Sequence, residues 1–398
     1  MSDSVEMLDW SAEALLADAR AQSGLSDFDD DSFLEPMAVL TDSLLSEAGL
    51  HPQGALSVRA RIVDNLVGRL TAQDYFTRYP EILKEEILAP FFIVGLARSG
   101  TTRLLRLLAA NSALYALTRW ECRFPSPFPG SDWVSEPDPR IATARTELKQ
   151  MLEHQPVLAS IHPFDADAPD EDIVLMQHSF LSQVEEASAR VPSYVAWLDR
   201  QDHVNAYAFL KKRLQFLQWQ KKRSGRAAER WILKGPYHLG YLDALTAVFP
   251  DAKLVHTHRD PVETIPSIAS FHYALWQMGT DGADPAYLGR QSKNRFVWAL
   301  GRAMEARDAG LESRCLDVWY QDVNRDPLGE ARRIFDFLGL DFSAETEGRM
   351  RQWVVDNDRA KRPAHHYSAE QFGLSEDELI EAFSDYRKRF LRDSLPTA

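Results

Sequence analysis

The sequence predicts an α/β fold: a P-loop-like parallel sheet flanked by helices, with an N-terminal helical extension and a helical insertion. Three observations predict it. A short continuous apolar run, Phe91-Phe92-Ile93-Val94, stops at Gly95 and gives way to a glycine loop and a leucine-rich stretch at 104–110. Such a run suits a strand buried on both faces, and strand, glycine loop and helix in that order open a phosphate-binding unit. Three further strand-like segments, 231–233, 253–257 and 315–319, are each followed by a helical stretch, at 238–248, 262–271 and 327–337. Alternation of this kind predicts parallel pairing with helices on both faces. The last helix has a clear start, with Asp326 able to cap it and Pro327 suited to its first position.

The remaining segments attach to this frame. In the extension, 1–87, segments 12–20, 33–48 and 56–69 carry apolar residues at three-to-four spacing between acidic or Gly/Pro breaks. These helices are expected to cap the following domain or to form a subunit contact. The α/β domain is expected over 88–340, interrupted at about 120–230 by an insertion, with the boundary uncertainty usual for such readings. That insertion holds the Pro-rich stretch 124–129 and two predicted helices, 171–190 and 207–223. Insertions of this size between core strands commonly carry acceptor recognition. The tail, 341–398, reads as helical and charged apart from a loop at 363–373.

Composition narrows the partners. The 398-residue chain has 45 Lys+Arg against 59 Asp+Glu, a net charge of −14. Nucleic acid and anionic membrane select basic surfaces, so neither is expected as the main partner. A small anion needs only local cations and backbone N–H groups, so a nucleotide remains compatible. No apolar run approaches the ~18 residues of a transmembrane helix. The acidic N-terminus lacks the pattern of a secretory signal, and the two cysteines, Cys122 and Cys315, build no disulfide framework. A cytoplasmic location is therefore expected, with homo-oligomerisation left open.

The chemistry centres on Gly95-Leu96-Ala97-Arg98-Ser99-Gly100-Thr101-Thr102. Its glycine spacing is that of a Walker A loop, whose inward N–H groups and helix N-terminus bind phosphate. Thr101 occupies the Walker lysine position, however, and Arg98 offers a cation earlier in the loop. That arrangement argues against a triphosphate site. A second strand-to-helix passage places Arg259 at a strand end and Ser267 eight positions later. Arginine offers a bidentate fork for phosphate, and a hydroxyl one or two turns on can donate to the same anion. Two anion sites at adjacent strand ends suit a ligand with phosphates at both ends, such as a 3′,5′-bisphosphorylated nucleoside.

With both arms in view, the chain resembles the sulfotransferases that use 3′-phosphoadenosine-5′-phosphosulfate (PAPS). Arg98-Ser99-Gly100-Thr101-Thr102 is similar to their 5′-phosphosulfate loop, in the arginine form of tyrosylprotein and many bacterial sulfotransferases. Arg259 and Ser267 match the family's 3′-phosphate motif. Leu233-Lys234-Gly235-Pro236 with His238-Leu239 resembles a bacterial signature, Gly235 replacing the commoner serine. Asp326-Pro327 with Phe337-Leu338-Gly339-Leu340 resembles the family's next helix. The likeness spans about 90–340 and has an echo at Tyr367 and Phe372-Gly373-Leu374.

The resemblance implies PAPS as co-substrate, no metal, and sulfuryl transfer by in-line displacement to a hydroxyl of a small-molecule, lipid or sugar acceptor. It implies that Arg98, Ser99, Gly100, Thr101, Thr102 and Arg103 hold the 5′ end, and Arg259 and Ser267 the 3′ end. Arg98 and Lys234 would stabilise the leaving phosphate. Two proton acceptors stand open: Glu121, which would need a raised pKa in an aromatic pocket, and His178. His162 and His238 rank below them. His256 and His258 are expected to face opposite ways, against a zinc pair. Lys361-Arg362 with His365-His366-Tyr367 could fold over the nucleotide or form a solvated turn, and Trp120 and Phe124 could stack on adenine or pack in the core. The competing readings are a kinase-like P-loop enzyme and a non-catalytic nucleotide-binding scaffold.

Overall fold

The computed structural model describes residues 8–131, 133–134, 137–357 and 365–391. Its sheet has five strands: β1 (Phe91–Gly95), β2 (Leu114–Ala116), β3 (Arg230–Lys234), β4 (Lys253–His258) and β5 (Cys315–Trp319). They lie in the order β2-β3-β1-β4-β5, and every pairing is parallel. The predicted fold class is the observed one, and all four predicted strands are present. β1 is central and buried along its whole length. Phe91 and Ile93 join Leu104, Val255, Val318 and Ile334 on one face. Phe92 meets the His238 and Phe249 rings on the other, 5.1 and 5.5 Å away. A strand covered on both sides has no use for polar alternation, which explains the unbroken apolar run.

Three local expectations change. β2 was not predicted, because three residues are too few for periodicity to register. The stretch 171–190 is not one helix but Ile173–Met176, a 3₁₀ turn Gln177–Ser179, and Val184–Ser188. The break falls at Phe180, whose φ of 59° is left-handed. There the Tyr194 hydroxyl lies 2.8 and 3.0 Å from the Phe180 and Ser182 carbonyls and accepts from the Ser182 N–H, satisfying the backbone that leaves the helix. The stretch 238–248 likewise divides into a 3₁₀ turn Pro236–Gly240 and a helix Leu242–Val248, with Tyr241 at φ −141° between them.

The chain forms two compact units, Met1–Ile87 with Thr118–Ala227 and His272–Ala283, and Leu88–Leu117 with Ala228–Phe271 and Asp284–Ala398. The first is helical. Its helices Ala12–Ser23, Leu34–Glu47 and Pro52–Arg78 bury Leu15, Met37 and Leu66 together with Phe33 and Tyr194. Ser11 and His51 cap two of them by accepting N–H bonds from Ala14 and Gly54. The second unit holds the sheet. Among the described residues, no helix is long and apolar enough to cross a membrane.

Gly95 is the tightest point of the sheet. It pairs with Thr257 at φ 146°, and a Cβ there would lie 2.2 Å from the Thr257 hydroxyl and 2.6 Å from its carbonyl oxygen. Gly95→Ala is expected to lower stability by about 2 kcal/mol or more, through strain and overpacking together. Urea denaturation measures this, and an unchanged midpoint would contradict the packing described.

Candidate active site

The helix after β1, Thr101–Leu108, leads toward β2, whereas the helix after β4, Pro261–Trp276, leads toward β5. The loops leaving the carboxyl ends of β1 and β4 therefore diverge. That divergence is the switch point at which open α/β sheets bind ligands.

The β1 loop is held by its own hydroxyl network. Ser99 Oγ donates to the Leu96 carbonyl at 2.6 Å and lies 2.7 Å from Thr257 Oγ1 on β4. Arg98 stands at φ 70°, a left-handed conformation unusual outside glycine and a mark of a constrained site. Gly100 (φ 88°) caps the helix whose first residue is the buried Thr101, and a Cβ on Gly100 would meet the Tyr320 ring at 2.9 Å. Thr102 follows, and its Oγ1 accepts a 3.1 Å bond from Lys234 Nζ. Lys234 is the last residue of β3 and fully buried. Arg103 lies on the same first helical turn, its Nε buried without a hydrogen-bond partner among the described residues.

The β4 arm interlocks with this loop. Arg259 Nη1 donates to the Arg98 carbonyl at 2.9 Å, and its guanidinium lies 4.2 Å from the Tyr320 ring centroid. Its remaining fork, Nε and Nη2, holds the Glu263 carboxylate at 2.9 and 2.6 Å. Ser267 accepts from Arg98 Nε at 3.2 Å. Arg98, Arg259 and Ser267 thus form one hydrogen-bonded cluster at the ends of β1 and β4, and Lys234 at the end of the neighbouring β3 bonds Thr102 separately. Ser270, one turn beyond Ser267, lies 2.8 Å from His365 Nε2. Burial and the nearby Arg98 hold that imidazole below its usual pKa. Lys361 and Arg362 fall outside the described residues.

Glu121 and His178 belong to the first unit. Glu121 accepts the Thr118 N–H at 2.9 Å, the carboxylate half of a capping box. Lys221 Nζ bonds its other oxygen, and Arg226 lies 3.5 Å from it. Burial works to raise this carboxyl, but Lys221, the Thr118 N–H and Arg226 together hold it below its ordinary value. The direction is opposite to the expectation from an aromatic pocket, because the pocket brings cations with it. Arg119 and Arg123 bond other carboxylates, Asp170, and Asp64 with Glu147. His178 sits in the 3₁₀ turn, buried, its Nδ1 without a partner among the described residues. Burial first, then Arg213 and Arg123, push its pKa down to about 3.

His256 and His258 do not face opposite ways. Residues two apart on a strand share a face, and their rings lie 4.2 Å apart. With Asp317 they can bring ligand atoms within 4.8 Å of one another. The donor set does not suit a cation, however. His258 spends its two nitrogens on Tyr386 Oη (2.9 Å) and Asp317 (2.8 Å), while the buried Arg307 guanidinium bonds Asp317 at 2.6 and 3.0 Å. Arg307 already supplies the positive charge. His238 and Trp120 are buried in packing contacts, against Phe92 and the Arg140 guanidinium. Thr257 and Tyr320 were missed. Thr257 carries no motif, but Tyr320 stands just beyond β5, a position at the ligand edge of the sheet.

This is a P-loop-like α/β fold with Arg98, Lys234 and Arg259 gathered at its switch point. The profile of the sulfotransferase family matches residues 90–344, and the chain belongs to that family: it is a sulfotransferase. It is 28% identical over 302 residues to the omega-hydroxy-beta-dihydromenaquinone-9 sulfotransferase Stf3 of Mycobacterium bovis and Mycobacterium tuberculosis, over 75% of this chain and 74% of that one. Among solved structures it is similar to sulfotransferase STF1 from Mycobacterium tuberculosis H37Rv, with TM-score 0.82 and 31% identity over 94% of this chain and 98% of that one. It is also similar to sulfotransferase STF9 from Mycobacterium avium, with TM-score 0.86 and 27% identity over 97% and 98%.

Two histidines, the buried His178 and the half-buried His272, set a pH response. His178, and His272 pushed down by burial to about 4, stay neutral in the folded chain. Below pH ~6.5 the unfolded chain takes up protons that the folded chain refuses, so stability falls as pH falls, by up to about 1.4 kcal/mol per unit for each histidine. Urea midpoints measured between pH 7.5 and 5 should decline below about 6.5. A flat profile would contradict the burial.

Proposed function

We propose that the enzyme transfers the sulfuryl group of PAPS to a hydroxyl of a lipid-like acceptor. The observation that carries the donor is the joining of two anion arms: Arg259 bonds the Arg98 carbonyl while the Arg98 side chain reaches Ser267. A donor phosphorylated at both ends spans such a pair. A triphosphate would call instead for a lysine where Thr101 stands. For the acceptor, the support is the name of the relative Stf3, which describes a hydroxylated dihydromenaquinone.

In the reaction, an acceptor hydroxyl oxygen bonds to sulfur and gives up its proton to solvent as the bond from sulfur to the 5′-phosphate oxygen breaks. The electron pair departs with that oxygen, and adenosine 3′,5′-bisphosphate leaves. Charge therefore develops on the bridging oxygen and the phosphate. N–H groups at the start of Thr101–Leu108, the Arg98 guanidinium and the Lys234 ammonium would meet it. Arginine stays ionised and serves only as charge, while Lys234, already bonded to Thr102, can also return a proton to the leaving oxygen. The Glu263 carboxylate occupies the Arg259 fork where the 3′-phosphate would sit. Neither Glu121, held ionised by Lys221, nor His178, with its pKa near 3, has the profile of an efficient base at neutral pH. The proposal therefore rests on leaving-group stabilisation.

With ³⁵S-labelled PAPS and a panel of hydroxylated lipids, label should pass to a lipid. Lys234→Met should lower kcat about 10²–10³-fold, the effect of removing one preorganised charge-stabilising donor. Tight binding of ATP with Mg²⁺ but none of adenosine 3′,5′-bisphosphate would overturn the donor assignment, and label transfer only to water or sugars would overturn the acceptor class.

A further inference from the structure

Arg259 is the one residue between the end of β4 and Asp260, which precedes the helix Pro261–Trp276. The path of its backbone is therefore set by His258 and Asp260, and both are gripped by the helix Ser384–Phe390. Tyr386 Oη lies 2.9 Å from His258 Nδ1. Arg387 bonds both carboxylate oxygens of Asp260, whose Oδ1 additionally accepts the Val262 N–H at 3.1 Å. The Phe390 ring stacks on His258, with centroids 4.5 Å apart and planes 13° apart. The helix is itself anchored, since Trp319 Nε1 donates to the Phe390 carbonyl at 2.7 Å and Arg389 pairs with Asp308 at 2.8 Å.

We propose that Tyr386 and Arg387 are positioning residues for the 3′-phosphate arm, holding residues 258–260 so that the Arg259 fork meets that phosphate. This rests on the reading of Arg259 as a nucleotide-phosphate ligand. Neither side chain bonds the Arg259 guanidinium. They act through the three backbone units that carry it. The proton arrangement is self-consistent. The Asp317 carboxylate accepts from His258 Nε2–H, so His258 Nδ1 accepts from the Tyr386 hydroxyl. Asp317 is held well below the usual carboxylate range: burial works against this, but hydrogen bonds from His258 and Arg307 prevail. A chain of bonds from Arg307 through Asp317 and His258 to Tyr386 thus ties the helix Ser384–Phe390 to the end of β4, next to Arg259. A bidentate grip on phosphate is sensitive to such placement, because both N–H···O bonds must be met at once.

Calorimetry on the full chain separates positioning from general stability by using two probes, adenosine 3′,5′-bisphosphate and adenosine 5′-monophosphate. Arg387→Gln and Tyr386→Phe should each weaken the bisphosphate about tenfold, the scale on which removing a supporting contact behind a ligand acts. Affinity for the monophosphate, which lacks the 3′ group, should be unchanged, and Arg387→Lys should recover part of the loss. Tyr386→Phe keeps the ring and its packing, so it reports even if Arg387→Gln folds poorly. Equal weakening of both ligands, or no change in either, overturns the positioning role. If the wild-type chain shows no preference for the bisphosphate, the nucleotide reading itself fails, and this inference falls with it.

Discussion

The site depends on the contact between β1 and β4 at Gly95 and Thr257. Because residue 95 has no side chain, the Thr257 hydroxyl can lie against the β1 backbone, 3.3 Å from the Val94 carbonyl and 2.7 Å from Ser99 Oγ. The glycine loop is thereby pulled across the carboxyl end of β4. Only in that position can the Arg98 carbonyl receive Arg259 while the Arg98 side chain reaches Ser267. Any side chain at 95 would separate the two strand ends and with them the two arms. The left-handed backbone at Arg98 follows from the same constraint: a non-glycine residue is held at φ 70° because the contacts on both sides of it are already fixed.

Electrostatics here are local. A chain of net charge −14 has Arg98, Lys234 and Arg259 on three adjacent strand ends. Three carboxylates of the second unit are held by their own partners: Asp260 by Arg387, Asp317 by Arg307 and His258, and Glu312 by Arg307. Glu263, half-exposed, is held by the Arg259 fork, which on the proposed reading a phosphate would occupy. A carboxylate held by an exposed i,i+4 pair is easily exchanged for a dianion, because such pairs contribute only about 0.3–0.5 kcal/mol.

Much of this was legible in the sequence wherever the proposed site is written in a local strand–loop–helix passage. Arg98 to Thr102, Lys234, and Arg259 with Ser267 are each placed by a few consecutive residues, and the parallel sheet brings those passages together. Features set by distant packing were not legible. Phe180 breaks a helix because of Tyr194, and Glu121 is lowered rather than raised because Lys221, 100 residues on, lies against it. Tyr386 reaches His258 of β4, and Arg387 reaches Asp260 just beyond it, from 128 and 127 residues away. The facing of His256 and His258 was legible in principle, since strand periodicity puts residues two apart on the same side.

The most direct test is a crystal structure of the chain with adenosine 3′,5′-bisphosphate bound. The account predicts the 5′-phosphate against the N–H groups of residues 99–102 and Lys234, with the 3′-phosphate in the Arg259 fork beside Ser267 and Glu263 displaced. A bisphosphate bound elsewhere, or bound with Arg259 still holding Glu263, would contradict it.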